Sequence, residues 1–172
     1  VKIEFRLKYS GDWSNMKNIF FYQTSIGKIG IAENENFITN VYFHGEDVPR
    51  NTVVNETEVL KEAGRQLQSY LEGERKEFML PLAPAGTEFM LHVWEALRAI
   101  PYGEKRSYKE IAQIIGNQKA SRAVGLANNR NPIPVFIPCH RVIAANGKLT
   151  GYRCGLQIKE HLLELEKRHA YH

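Results

Sequence analysis

The feature that most constrains this chain is a change of hydrophobic period across a break carrying Pro81, Pro84 and Gly86. Ahead of the break, Ile19 to Phe43 is dense in β-branched and aromatic residues. Ile26-Gly27-Lys28 and Asn34-Glu35-Asn36 interrupt the run, a pattern that reads as a small antiparallel sheet joined by turns. From Thr57, Leu60, Ala63, Leu67, Tyr70 and Leu71 recur at helical spacing until Gly73, and Phe78-Met79-Leu80 reads as one further strand. Beyond the break the period is helical. Thr87 is placed to cap a helix carrying Met90, Val93, Trp94 and Leu97 on one face, ended by Ile100-Pro101-Tyr102-Gly103. The expected class is α+β: an N-terminal β-rich lobe with a helix over 16–84 and a mainly α lobe over 85–172. Val1 to Asn15, of mixed charge and weak periodicity, reads as an artificial leader ahead of a natural start at Met16, or else as a loosely ordered arm.

Within the second lobe, Ser107-Tyr108-Lys109-Glu110 has the form of a capping box, which predicts a helix running to about Ile115. Gly116-Asn117 then separates it from a helix expected over Gln118 to Asn128. On that second helix Ala120, Ala123, Val124 and Ala127 share one face, and Gln118, Ser121, Arg122 and Gly125 the opposite one. A face of small residues with one arginine allows close approach to another surface and suits a helix-turn-helix entering a DNA groove. An αα-hairpin packed in the core accounts for the same pattern equally well.

Charge narrows the partners without choosing among them. A net charge of +4 favours anionic surfaces but does not by itself establish nucleic-acid binding. The apolar stretches are far shorter than a bilayer span, so no membrane association is expected, and a reduced, cytoplasmic setting fits a chain of two cysteines with no C-x-x-C pair. Those two cysteines cannot build a zinc cage, and the expectation is no metal and no cofactor.

The most informative segment is Asn131-Pro132-Ile133-Pro134-Val135-Phe136-Ile137-Pro138-Cys139-His140-Arg141-Val142. Its prolines lack backbone donors, so the segment reads as a stiff extended strand presenting Cys139 at its end. A cationic or hydrogen-bonding neighbour such as His140 or Arg141 would lower the thiol pKa. Alone, a Cys-His pair is a weak signal, and a buried structural cysteine is the commoner reading of it.

This segment resembles the Pro-Cys-His-Arg-Val motif of the O6-alkylguanine-DNA alkyltransferases, also called methylated-DNA–protein-cysteine methyltransferases. The likeness extends in order through Gly86-Thr87-x-Phe89, Val93-Trp94-x-Ala96-Leu97, Ile100-Pro101-Tyr102-Gly103 and Ser107-Tyr108-x-Glu110-Ile111-Ala112. It continues through Ser121-Arg122-Ala123-Val124-Gly125, Asn131-Pro132-x-Pro134, Gly151-Tyr152 and Leu162-Leu163-x-Leu165-Glu166. The first lobe resembles the family in β-rich character only. The resemblance implies stoichiometric, single-turnover transfer of an alkyl group from O6-alkylguanine, and from O4-alkylthymine, in double-stranded DNA to Cys139, by a monomer. It further implies that His140 acts through a water as base, that Glu166 orients His140, and that Asn131 holds the turn between recognition helix and cysteine. Tyr108 would press on a phosphate and hydrogen-bond the departing base, while Arg122 replaces the flipped nucleotide in the stack. Ser121, Ala123 and Gly125 would line the DNA-facing helix. Pro134 and Tyr152 would wall the base pocket, with the carbonyls of Cys139 and Val142 reading the exocyclic amine.

One stretch departs from the pattern. Arg153-Cys154-Gly155 stands where many relatives have a small residue and glycines, so the Arg153 N–H would still meet the substrate while its side chain narrows the entrance. Cys154 reads as a small packing residue, with a disulfide to Cys139 as the sharper alternative. Three rivals stay in view. A non-catalytic lesion binder would lack the cysteine, a major-groove regulator would carry long polar side chains on its helix, and a Cys-His hydrolase would turn over without DNA.

Overall fold

The computed structural model describes residues 16–170, so the expected leader lies outside the described residues. The chain divides after Ala85 into two compact units.

The first unit is built on β1 (Lys17–Thr24), β2 (Gly27–Asn34) and β3 (Phe37–Tyr42), which pair antiparallel in the expected meander. Glu35 and Asn36 take φ of 51° and 65°, the consecutive left-handed pair that a two-residue hairpin with right-handed strand twist demands. A short edge strand, β4 (Thr52–Val54), was not expected, and it runs parallel to β1 because Phe43 to Asn51 crosses over instead of turning back. Helix α1 (Glu58–Leu71) covers the sheet, and Leu60, Ala63, Leu67 and Tyr70 are buried with Ile19, Ile29, Ile31, Ile38 and Val41. Gly64 permits that packing: a Cβ there would lie 2.5 Å from the Tyr22 ring.

The expected strand at Phe78-Met79-Leu80 does not form. The side chain of Gln66 on α1 occupies both backbone groups of Met79, accepting from its N–H at 2.9 Å and donating to its carbonyl at 3.2 Å. Sheet pairing starts only beyond that clamp: Ile38 donates to Pro81 and accepts from Ala83, each at 2.8 Å.

The second unit holds α2 (Glu88–Arg98), β5 (Arg106–Ser107), α3 (Tyr108–Ile114), α4 (Ser121–Asn129), β6 (Val142–Ile143) and α5 (Leu156–His169). Thr87 caps α2 through Met90 N–H, and Ser107 and Glu110 close the capping box that starts α3. The α+β class, with a helical second lobe, is as expected. Helix α4 begins three residues later than expected, since Asn117 to Ala120 closes a turn of its own through a 3.0 Å hydrogen bond. Ala120, Val124, Ala127 and Asn128 are buried and Ala123, expected on the inner face, is exposed, because the buried stripe is centred near Ala120 and Val124 and Ala123 falls at its edge. Trp94 pins α4 to α2 by donating Nε1–H to the Ala127 carbonyl at 2.8 Å.

Candidate active site

Between α4 and β6 the chain folds back on itself, and the stiff strand expected over Asn131 to Pro138 is absent. Without proline N–H groups it cannot form a ladder, and the polar side chain of Asn131 supplies the missing bonds instead. Asn131 accepts from Ile133 N–H at 3.0 Å and donates to the Ile137 carbonyl at 2.8 Å, closing a loop in which Val135 adopts φ of 74°. That left-handed backbone costs a β-branched residue about 1–3 kcal/mol, held in place by the surrounding clamp. Cys139–Arg141 then forms a single 3-10 turn, so Cys139, His140 and Arg141 project in three directions instead of alternating across a strand.

All three side chains are buried. His140 Nε2 lies 2.8 Å from Glu166 Oε1 on α5. Arg141 grips both oxygens of the same carboxylate, with Nε at 3.1 and 2.9 Å and Nη2 at 2.9 Å, and its Nη1 donates to the Ile100 carbonyl at 2.6 Å. Gly103 N–H completes the set at 3.1 Å from Oε2, which ties the loop after α2 to the cysteine turn. Arg141 is therefore a clamp on Glu166 and not the cation that activates the thiol.

The electrostatics follow from burial. Burial alone would push Glu166 up, but His140 and Arg141 hold its carboxyl well below the usual carboxylate range. Burial lowers His140 against the opposing pull of Glu166, with Arg141 and Lys159 adding to the lowering, so the ring is neutral at physiological pH. The Cys139 thiol moves the other way from the expected depression. Burial pushes it up, and Asn131, Lys159 and Arg153 offset this only in part. A thiol so placed reacts only if a base takes its proton.

The remaining candidates distribute as follows. Tyr108 is half-buried at the start of α3, its ring within 3.7 Å of where a Cβ on Gly125 would stand, and its hydroxyl donates to the Thr150 carbonyl at 3.1 Å. Ser121 and Gly125 are half-buried on α4 while Arg122 and Ala123 are exposed. Pro134, Val142 and Tyr152 are buried, and Arg153 is exposed. The Cys139 carbonyl already accepts from Val142 N–H and from Asn128 Nδ2 at 3.3 Å, two donors for its two lone pairs. Cys139 and Cys154 are both free thiols. Among the described residues no group of His, Cys, Asp or Glu could hold a metal ion, and no helix is long and apolar enough to cross a membrane.

Sequence reasoning missed Asn128, the clamping role of Arg141, and Lys159, whose buried ammonium donates to the carbonyls of Val142 and Thr150. A signal for Lys159 was present. It lies seven residues before Glu166 and three before Leu162, on the inner stripe of α5.

Both lobes have counterparts among known proteins. Residues 88–168 match the model of the 6-O-methylguanine DNA methyltransferase DNA-binding domain, and residues 20–84 that of the ribonuclease-like domain of the same methyltransferases. The methylated-DNA–protein-cysteine methyltransferase of Methanosarcina acetivorans is 58% identical over 149 residues, covering 84% of this chain and 95% of the relative. The constitutive one of Bacillus subtilis is 49% identical over 152 residues, covering 84% and 92%. The Mycobacterium tuberculosis protein crystallised in complex with DNA superposes with a TM-score of 0.84 at 43% identity, covering 88% of this chain and 94% of that one. With both lobes matched in order and a cysteine turn closed on a buried His–Glu pair, the chain belongs to the 6-O-methylguanine DNA methyltransferase family.

Proposed function

We propose that this chain repairs duplex DNA by moving the alkyl group of O6-alkylguanine onto Cys139, once per polypeptide. The observation that carries the reading is a buried cysteine followed in one 3-10 turn by a buried histidine locked at 2.8 Å on the Glu166 carboxylate. Because the Glu166 carboxylate is acceptor-only, His140 presents Nε2–H to it, and Nδ1 is the ring atom that takes a proton. The thiol proton passes to Nδ1 through a water, the sulfur lone pair forms the S–C bond, and the C–O6 bond breaks with its electrons going to the guanine oxygen. A proton from the Tyr108 hydroxyl neutralises the departing base, and the His140 proton restores the phenol, so no proton is consumed. The ionised Glu166 stabilises the transient imidazolium, the nucleophile, base and orienter arrangement of other thiol sites.

A thiol this deeply buried cannot reach a base inside a duplex, so the nucleotide is flipped out. Exposed Arg122 enters the minor groove and fills the stack, while Ser121, Ala123 and Gly125 let α4 approach the backbone. Pro134, Val142 and Tyr152 wall the pocket, Arg153 stands at its rim, and Asn131 fixes the cysteine turn. The same pocket takes O4-alkylthymine. The chain works as a monomer in the cytoplasm, without cofactor.

Intact mass after mixing with excess duplex bearing one O6-methylguanine, followed by peptide mapping, tests this. The expected result is one methyl per chain, on Cys139, and none in Cys139→Ala. DNA binding with no mass change under reducing conditions would make the chain a lesion binder and sink the proposal.

A further inference from the structure

Lys159 is wholly buried on α5, where an apolar residue would complete the stripe with Leu162. Its ammonium donates to the Val142 carbonyl at 2.6 Å and to the Thr150 carbonyl at 3.0 Å, and lies 5.9 Å from the centre of the Tyr152 ring. The Thr150 carbonyl is the same atom that accepts from the Tyr108 hydroxyl at 3.1 Å. One cation thus touches, or stands one hydrogen bond from, Val142, Tyr152 and Tyr108, three groups of the base pocket. We propose that Lys159 is a positioning residue for alkyl transfer: its ammonium fixes the Val142 and Thr150 carbonyls and its charge favours the Cys139 thiolate. This rests on Cys139 being the acceptor.

An ammonium buried for packing alone would be costly, since desolvation disfavours the charged form. Here burial, opposed in part by Cys139, leaves Lys159 drawn down to about 8. The coupling acts on Cys139 in return. Burial pushes the thiol up; Asn131 lowers it by a hydrogen bond, and Lys159 and Arg153 lower it by charge. Arg153 is exposed and screened by solvent, leaving Lys159 as the buried cation acting on the thiol. The remaining buried charged groups of the turn and α5, Arg141 and Glu166, are engaged with each other, while Glu160, Glu164, Lys167 and Arg168 of α5 lie outside the buried face. Lys159 also disfavours protonation of His140, so one charge favours both the anionic sulfur and the neutral base.

The test is the rate at which iodoacetamide modifies Cys139, followed by peptide mapping across a pH series, in the wild-type chain and in Lys159→Met. The expected result is a midpoint moved upward by about one pH unit or more. At neutral pH the variant should react about tenfold or more slowly, with the two rates converging at high pH. A folded variant whose midpoint stays put, or whose rate falls by one factor at every pH, overturns the proposal. If Lys159→Met does not fold, the reciprocal measurement decides. The Nζ resonance of Lys159, followed by 15N NMR, should titrate at lower pH in Cys139→Ser than in the wild type, and an unchanged midpoint overturns the proposal. Methyl uptake from O6-methylguanine duplex is scored on the same wild-type sample. A wild type that never gains a methyl defeats the acceptor reading, whatever the iodoacetamide profile does.

Discussion

Among the described residues each unit buries one glutamate almost completely, Glu33 at 2% exposure and Glu166 at 1%, and the two differ in what surrounds them. Glu33 accepts from the Asn18 amide at 2.7 Å and from Asn36 N–H at 2.8 Å, neutral donors belonging to the paired strand and to its own turn. It closes a hairpin whose next residues already carry left-handed backbone. Glu166 collects an imidazole, a guanidinium and a backbone N–H from segments 26, 25 and 63 residues away, one of them adjacent in sequence to a buried thiol. Burial alone therefore says little about role. Partners that are local and neutral make a structural carboxylate. Partners that are distant, charged and titratable make one that can stabilise a charge appearing during a reaction.

Glu166→Gln should break this comparison most severely. It leaves Arg141 buried without its counter-charge, a loss of about 3–5 kcal/mol in unfolding free energy by chemical denaturation. Methyl transfer to Cys139 should fall with it, because the imidazolium loses its partner. The acid limb of stability carries the same signature. Glu166 titrates in the fold below its unfolded value of about 4.3, so its stabilisation is complete above that pH and drains away as pH falls toward the folded value. His140 is also lowered in the fold, so the unfolded ring takes up a proton that the buried ring refuses, and stability declines below about pH 6.5. Denaturation midpoints of the wild type should therefore fall in two stages on acidification, and in Glu166→Gln the lower stage should flatten. An unchanged slope below the carboxylate range would show that other groups govern acid unfolding.

Glu33→Gln is the matched control and should cost less, about 1–2 kcal/mol, since one acceptor oxygen survives and no buried charge is stranded. The rate of methyl transfer should be unchanged in folded protein. A slower transfer in that variant would mean that the sheet unit takes part in the chemistry, and the contrast between the two glutamates would fail.

The same contrast explains which parts of the molecule were legible in the sequence. The meander and α1 are periodic, and period is a local property: alternation and the 3.6-residue stripe record which side of each element is buried. The capping box at Ser107 and Glu110 is equally local and was read correctly. The segment from Asn131 to Arg141 is not periodic. Its prolines announce that it is neither a central strand nor a regular helix, but its path is set by the Asn131 side chain bridging Ile133 and Ile137, a contact with no periodic trace. The strand expected at Met79 failed for the same reason, because Gln66 takes its backbone groups from thirteen residues away. Ala123 falls at the edge of the α4 stripe, whose burial extends to Asn128 instead, a difference set by what packs against the helix. Cys139, His140 and Glu166 came forward through resemblance to a family. Lys159 did not, although its place on the inner stripe of α5 marked it as a charge on a face otherwise lined by leucines and Glu166.

The finest form of the comparison is a substitution that separates stability from DNA contact within the second unit alone. Gly125 lies mid-way along α4, half-buried, and a Cβ there would stand 3.7 and 3.8 Å from the Tyr108 ring, ordinary van der Waals contact requiring no movement. Alanine is preferred to glycine inside a helix by about 0.8–1.0 kcal/mol, so Gly125→Ala should raise unfolding free energy by up to about that amount. If α4 approaches DNA through its small residues, the same methyl should weaken binding to undamaged duplex, measured by fluorescence anisotropy at fixed salt. Stabilisation with weaker DNA affinity would mean that glycine at 125 serves the DNA and not the fold. Stabilisation with unchanged affinity would leave the helix too far from the duplex for its small residues to matter, and Arg122 alone would have to account for contact on that face.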